Sequence, residues 1–161
     1  MNAESFRVRK AQKEDCDKVL ALMREFAEYV NLTEYLIVDR QKLENELFEH
    51  NAAEVLLAEV GEEPIGYALY FNIFSSFSGT RGVYLDDLYI SKAHRNKGYG
   101  KALLRTLVSE TVEKGFERLE WKCLNWNTLA QEFYKSFGAN SHDDSMTFSL
   151  EGNSLNKFSR H

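Results

Sequence analysis

A short segment of glycines and basic residues, HRNKGYG, lies between a predicted strand and a predicted helix. It contains the pattern R-x-x-G-x-G, formed by Arg95, Gly98 and Gly100. The first N–H groups of a helix have no partner inside it and carry the positive end of its dipole, so they can bind an anion. Glycine lets a phosphate approach the backbone closely. The segment therefore predicts a phosphate-binding loop, to which Lys97 and Lys101 add positive charge.

The spacing excludes two other phosphate loops. A Walker A loop needs G-x-x-x-x-G-K-[ST], but Arg95 stands at its first glycine and Ala102 at its Ser/Thr position. A dinucleotide fingerprint that begins at Gly98 needs a third glycine where this chain has Leu103. We therefore do not expect a nucleoside triphosphate or a dinucleotide here.

Two adjacent acids, Asp86 and Asp87, interrupt the apolar segment VYLDDLYI. Acids are depleted in strands, so the pair is unusual. Successive side chains of a regular strand point to opposite faces, so only one acid lines a given cleft unless a bulge intervenes. A carboxylate can bind an ammonium group and accept its proton directly or through water. We favour Asp86 as the acid that faces a substrate, with Asp87 as a second contributor.

Hydrophobic periodicity predicts the elements that position these residues. The predicted order is β-α-α-β-β-β-α-β-α-β, a mixed α/β (α+β) fold whose central mixed sheet has helices on both faces. The predicted strands are SFRVRKA and residues 54–60, 65–74, 83–90, 117–124 and 146–151, and the predicted helices start near Glu14 and Asp39 and span about 98–114 and 127–137. We expect one domain over residues 1–161, with a polar tail from 151 to 161.

Composition narrows the classes of function. The net charge of −5 disfavours a general nucleic-acid binder. The two cysteines are far apart, and no Cys/His spacing indicates a metal site. No stretch approaches the roughly 20 apolar residues of a membrane span, and the N-terminus lacks the apolar core of a signal peptide. We expect a cytoplasmic protein with no metal, nucleic-acid or membrane partner.

A second segment, NWNTLAQEFYKSFGA, follows about thirty residues after the loop. Together with VYLDDLYISKAHRNKGYGKALL, it resembles the GNAT superfamily of acetyl-CoA-dependent N-acetyltransferases, and within it the spermidine/spermine and thialysine acetyltransferase branch. The resemblance covers nearly the whole chain. It implies a GNAT-like sheet, acetyl-CoA as co-substrate, no metal, and a homodimer.

The resemblance also implies roles for particular residues. The pantetheine arm pairs with backbone groups of Leu88, Tyr89 and Ile90, one of whose N–H groups polarises the acetyl carbonyl. Asn127 and Ala130 also bind the cofactor, although Asn127 could also be the N-cap of its helix. The pyrophosphate is bound by the loop residues Arg95, Asn96, Lys97, Gly98, Tyr99, Gly100 and Lys101.

The proton-transfer and acceptor positions come from the same resemblance. Tyr134 protonates the leaving thiolate, although its helical spacing also suits a core aromatic. Asp86 handles the amine, with Asp87 beside it. The other acceptor-end candidates are Tyr29, Trp121 and Asp144, for which a packing or surface role is the alternative.

The implied reaction is direct attack of a primary amine on acetyl-CoA in a ternary complex. The chain departs from the polyamine branch, with Val30 replacing an expected glutamate and no arginine near Thr147. These departures put spermidine in doubt and leave shorter diamines or lysine-like amino acids. A protein or peptide N-acetyltransferase, on which the predicted loop of residues 75–82 bears, and a non-catalytic acyl-CoA-binding domain are the alternatives.

Overall fold

A computed structural model describes residues 5–159 of the chain. They divide into two compact units, Met1–Lys122 and Cys123–His161, and each is described by itself. The expectation of one domain over residues 1–161 stays a prediction.

The first unit is built on a five-stranded sheet in the order β1-β2-β3-β4-β5. The first four strands pair antiparallel, and β5 pairs parallel with β4, so the sheet is mixed as predicted. A tight turn in the segment GEEP joins β2 to β3. The strands are β1 (Phe6–Lys10), β2 (Glu54–Val60), β3 (Glu63–Ser75), β4 (Thr80–Ile90) and β5 (Arg118–Trp121).

Helices cover both faces of this sheet, which confirms the predicted fold class. One face carries α1 and α2, whose Val19 and Leu43 belong to a buried cluster with Tyr67 of β3. The opposite face carries α3, where the hydroxyl of Tyr70 donates to Glu110 at 3.0 Å. The helices of this unit are α1 (Cys16–Tyr29), α2 (Arg40–Glu44, continued by a π-helical turn over Asn45–Glu49) and α3 (Tyr99–Glu113).

The apolar periodicity of α1 explains its packing. Apolar residues recur at helical spacing on one face of α1, where Val19 and Leu22 are buried and Met23 and Phe26 are partly buried against the same cluster. Val30 lies just beyond the end of the helix. Asp39 caps α2 as expected, because its carboxylate accepts from the backbone N–H of Lys42 at 2.8 Å. The packing of α1 and the start of α2 thus follow from features visible in the sequence.

Four charged side chains form a cluster between β1, β2 and the turn before α1. The carboxylate of Glu59, fully buried, accepts from Nε of Arg7 at 2.7 Å and from Nη2 of Arg9 at 2.7 Å. Arg9 also donates to Asp15 through both terminal nitrogens, at 2.7 and 2.9 Å. The buried carboxylate is thus compensated by two guanidinium groups, as burial of a charge requires.

The connection between β3 and β4 is shorter than predicted. We expected a loop over residues 75–82, but β3 continues to Ser75 and β4 begins at Thr80, so only a four-residue turn remains. The expectation was wrong because Thr80 and Arg81 extend the antiparallel ladder despite the polar composition of the segment. Phe77 at the turn is fully exposed.

The second unit contains two short helices, α4 (Thr128–Lys135) and α5 (Gly152–Phe158). The strand predicted over residues 146–151 is absent: Met146, Phe148 and Leu150 alternate as expected but lie exposed in irregular backbone. Alternation alone does not make a strand, because its backbone groups need a neighbouring strand, and the described residues of this unit contain none. The predicted polar tail holds α5, and residues 160 and 161 lie outside the described part.

Within residues 5–159, no helix combines the length and the apolar character needed to cross a membrane.

Candidate active site

The adjacent acids lie at a β-bulge in β4. Asp87 pairs with Leu69 of β3, and the next pair joins Leu85 to Tyr70, so Asp86 is an extra residue with no partner in this register. A bulge breaks the regular alternation of side chains and re-aims those beside it. Asp86 is exposed, whereas Asp87 is half-buried. The strict alternation of a regular strand therefore does not apply to this pair.

Asp87 is hydrogen-bonded to a tyrosine that the sequence did not single out. The hydroxyl of Tyr67 on β3 donates to Oδ2 of Asp87 at 2.8 Å. Burial raises the pKa of the phenol, and the neighbouring charge of Asp87 raises it further, so Tyr67 stays protonated and acts as the donor.

The environment of Asp87 makes its carboxylate more basic than that of an ordinary aspartate. Burial raises the pKa of Asp87 to about 6; the hydrogen bond from Tyr67 lowers it, and the charge of Asp86 raises it again. A carboxylate with such a pKa can hold a proton transiently near neutral pH. Asp87 is therefore a candidate proton acceptor, and the assignment of the amine to Asp86 stays a prediction.

The second half of β4 has a free edge. β5 pairs with β4 only from Gly82 to Leu85, and among residues 5–159 no strand lies beside residues 86–90 on that side. Leu88, Tyr89 and Ile90 all lie in this half. An extended ligand can add to such an edge through backbone hydrogen bonds, as peptides do in β-augmentation.

The loop after β4 leads into the N-terminus of α3. Gly98 is the N-cap with φ +82°, and Asn96 has φ +61°, so the chain passes through left-handed conformations before the helix. Gly98 has no side chain, so the N-cap residue of α3 does not occupy the first N–H groups of the helix. Lys97 and Lys101 are exposed around this end. The arrangement suits an anion with several oxygens.

Arg95 is anchored inside the fold. Its Nε donates to the carbonyl of Ile90 at 2.9 Å, and its guanidinium carbon lies 4.2 Å from the ring centre of Tyr29 and 5.4 Å from that of Tyr89. Tyr29, predicted to bind substrate, is thus packed under this guanidinium. The contacts couple the end of α1 to the start of the phosphate loop, in addition to any contact that Arg95 makes with a phosphate.

Glu25 on α1 holds the same junction and was not expected from the sequence. Its carboxylate accepts from the hydroxyl of Ser91 at 2.7 Å and from the hydroxyl of Tyr89 at 3.3 Å. A glutamate on the exposed side of an amphipathic helix looks like any solvated charge, so only the packing of α1 on β4 reveals these contacts.

Trp121 and the residues of the second unit complete the predicted set. Trp121 is half-buried on β5, where it pairs with Leu85. Asn127 is the N-cap of α4, and its Oδ1 accepts from the backbone N–H of Ala130 at 3.2 Å. Tyr134 is half-buried on α4 and packs near Phe133, with ring centres 5.4 Å apart.

Asp144, the last of the predicted acceptor residues, is exposed in the irregular segment after α4. The described residues contain no group of three or more His, Cys, Asp or Glu side chains arranged to hold a metal ion.

Tyr67 is the residue of this site that sequence reasoning missed most clearly. In the segment IGYALYFNIF it is one aromatic residue among several, and a buried strand position favours a packing role. The signal lies in the register: Tyr67 pairs with Tyr89, which makes Asp87 its diagonal neighbour across β3 and β4.

Comparison with known proteins assigns the family. The model of the acetyltransferase (GNAT) family matches residues 16–139. The chain belongs to the GNAT family. It is 32% identical to a thialysine N-epsilon-acetyltransferase of Sus scrofa over 82% of this chain and 82% of that protein. It is 30% identical to the Mus musculus thialysine N-epsilon-acetyltransferase over 94% of this chain and 95% of that protein.

The fold of this GNAT protein also has a close structural match. An integron cassette protein from the mobile metagenome of V. cholerae superposes with a TM-score of 0.81 at 27% identity, covering 98% of this chain and 99% of that one. The family match and the acetyltransferase relatives identify an N-acetyltransferase enzyme. GNAT acetyltransferases use acetyl-CoA as co-substrate, which accords with a phosphate loop that follows an open strand edge.

Proposed function

We propose that this GNAT enzyme transfers the acetyl group of acetyl-CoA to a primary amine of a small cationic molecule, either a short diamine or a lysine-like amino acid. The observation that carries the proposal is Asp87, a half-buried carboxylate of raised pKa at the bulge of β4, beside the strand edge suited to the donor. The relatives named for thialysine, a lysine analogue, favour the terminal amine of a diamino acid.

The amine must lose a proton before it can attack. A lysine-type amine has a pKa near 10.4 and is mostly protonated at neutral pH. Above pH 6 the carboxyl of Asp87 is ionised, so it can bind the ammonium group through a charge-assisted hydrogen bond. It can then accept the proton directly or through water and release it to solvent. Asp86, exposed beside it, adds negative charge that attracts a cationic acceptor.

The donor would be held by the loop and by the edge of β4. Backbone N–H groups at the start of α3, with Lys97 and Lys101, suit the pyrophosphate of acetyl-CoA. The free edge at Leu88, Tyr89 and Ile90 suits the amide groups of pantetheine, and an N–H there can stabilise the developing oxyanion. These are the residues that would position the thioester for attack.

The second unit supplies the remaining roles that we propose. We propose that Tyr134 donates the proton that the leaving thiolate needs. The support is the motif that the chain shares with the family and the ability of a phenol to donate a proton. Asn127 and Ala130 are proposed as cofactor contacts on the same ground. A homodimer and a cytoplasmic location stay predictions of the sequence.

The experiment that tests this proposal is steady-state kinetics of Tyr134→Phe, with CoA release as the signal. We expect kcat to fall by about 10²-fold or more, because general acid catalysis contributes at least that much, while the Kd of acetyl-CoA changes little. Tyr35→Phe is the control, because Tyr35 is 70% exposed and its hydroxyl has no assigned role. A Tyr134→Phe enzyme with an unchanged kcat would reject the acid role.

A further inference from the structure

We propose that Tyr67 is a positioning residue for the acceptor site: its hydroxyl holds the carboxylate of Asp87 in one orientation for the incoming ammonium group. The inference rests on the proposed function only in naming the amine as the group that Asp87 meets. The pairing of the two side chains stands on the geometry of β3 and β4.

The placement of Tyr67 is rigid. Its side chain is fully buried in the cluster formed by α1, α2 and the sheet, and the ring of Phe26 meets it edge-on with centres 6.5 Å apart. A phenol has one proton to donate, and that proton is directed at Oδ2 of Asp87, 2.8 Å away. Because the ring cannot move without disturbing the core, the hydrogen bond fixes the orientation of the carboxylate.

The bond occupies one carboxylate oxygen and leaves Oδ1 as the natural acceptor for a second donor. A bound ammonium group would then meet an oxygen of defined direction rather than a rotating carboxylate, which lowers the ordering cost of binding. This role requires a hydroxyl at the tip of Tyr67 and would be lost in phenylalanine, although phenylalanine fills almost the same volume.

The hydrogen bond also sets the charge of Asp87. Burial and the charge of Asp86 both favour the neutral acid, and the phenol of Tyr67 opposes them. The pKa of Tyr67 is also raised by Tyr89, two residues beyond Asp87 on β4, whose hydroxyl donates to Glu25 of α1 at 3.3 Å. Without Tyr67, the carboxyl of Asp87 would therefore stay protonated to a higher pH.

β3 offers a matched control three residues further along the strand. Tyr70 is also fully buried and also donates to a carboxylate, that of Glu110 at 3.0 Å, but it faces α3 on the opposite side of the sheet. Tyr67→Phe and Tyr70→Phe thus each remove one buried phenol–carboxylate bond from the same strand. Only the first removes a bond to Asp87.

The test is a ¹³C NMR titration of the aspartate carboxyl groups in the wild type and both variants, with the Asp87 signal assigned by Asp87→Asn. We expect Tyr67→Phe to move the titration midpoint of Asp87 up by about one pH unit, and Tyr70→Phe to leave it unchanged. The acidic limb of kcat/KM for the amine should move with that midpoint, while the KM of acetyl-CoA stays constant. In the Asp87→Asn background, Tyr67→Phe should cause no further movement of that limb.

An unchanged Asp87 midpoint in a folded Tyr67→Phe protein would overturn the proposal, as would equal movement in both tyrosine variants. Should Tyr67→Phe not fold, the wild type supplies the test: deuteration of the Tyr67 hydroxyl should shift the Asp87 carboxyl signal, and a signal unaffected by deuterium refutes the bond. The titration needs no turnover. If Tyr67→Phe moves the Asp87 midpoint as expected but the wild type acetylates no amine, the proposed function is refuted and the pairing of Tyr67 with Asp87 stands.

Discussion

Replacing Asp87 with asparagine should make the protein more stable at pH 8 and much less active. Burial raises the pKa of this carboxyl from 3.8 to about 6, so the folded state holds the proton more tightly than the unfolded chain. Above pH 6 the charge therefore costs stability, and at 1.36 kcal/mol per pH unit the cost reaches up to about 3 kcal/mol. Asparagine removes the charge and retains an oxygen that can accept from Tyr67.

Urea unfolding of Asp87→Asn and wild type at pH 8 and pH 3.5 measures this effect. At pH 8 the free energy of unfolding of the variant should be higher by about 1–3 kcal/mol, and the gain should fall away toward pH 3.5, where both states of the wild type are increasingly protonated. Asp86→Asn is the control, because Asp86 is exposed and should give little change. A variant that is no more stable than wild type at pH 8, or a gain that does not vary with pH, would refute the reasoning.

The same variant should lose activity toward the amine. We expect kcat/KM for the acceptor to fall by about 10²-fold or more, because a general base contributes at least that much, with the Kd of acetyl-CoA unchanged. Gain of stability with loss of activity is the pattern expected for a functional group held in an unfavourable environment. Retained activity in Asp87→Asn would remove Asp87 from the mechanism.

Two further substitutions test the loop and the charged cluster. Gly98→Ala places a Cβ on a residue in the left-handed conformation, with φ +82°, which should lower the free energy of unfolding by about 1–2 kcal/mol, measured by thermal unfolding. The same variant should bind acetyl-CoA more weakly in calorimetry. Gly100→Ala is the control and should leave stability nearly unchanged, because its Cβ would meet Ile90 at an ordinary 3.6 Å. Glu59→Gln should lower the free energy of unfolding by about 3 kcal/mol at pH 7. Burial alone would raise the pKa of Glu59, but bonds from Arg9 and Arg7 bring it below its usual 4.5, so the deficit should shrink as the pH falls below that value; a deficit constant from pH 7 to pH 3 would contradict this account.

The sequence predicts the parts of the fold that local pattern determines. The hairpin of β2 and β3, the start of α3 at Gly98 and the cap of α4 at Asn127 all follow from nearby residues, and the structure places them within a few positions. The strand predicted over residues 146–151 is not formed, because alternation of apolar and polar residues does not show whether a partner strand exists.

Some residues of the candidate site can also be predicted from the sequence, and others cannot. The glycines of the loop and the Asp86–Asp87 pair are visible in the chain, because their types are unusual for their positions. The different surroundings of the two acids are not visible in the sequence, since they depend on a bulge beside the pairing of Asp87 with Leu69 and on a hydroxyl from β3. Residues that act through another side chain, such as Tyr67, become apparent only from the register of the sheet.

The most direct test of the central claim is product analysis by mass spectrometry after incubation with acetyl-CoA and a mixture of amines. The mixture should contain thialysine, lysine, a short diamine, spermidine and a lysine-containing peptide in equal amounts. We predict a monoacetylated diamino acid or short diamine, formed on its terminal amine with one CoA released per product. Acetylation of the peptide alone, or no acetylated product despite bound acetyl-CoA, would contradict the account.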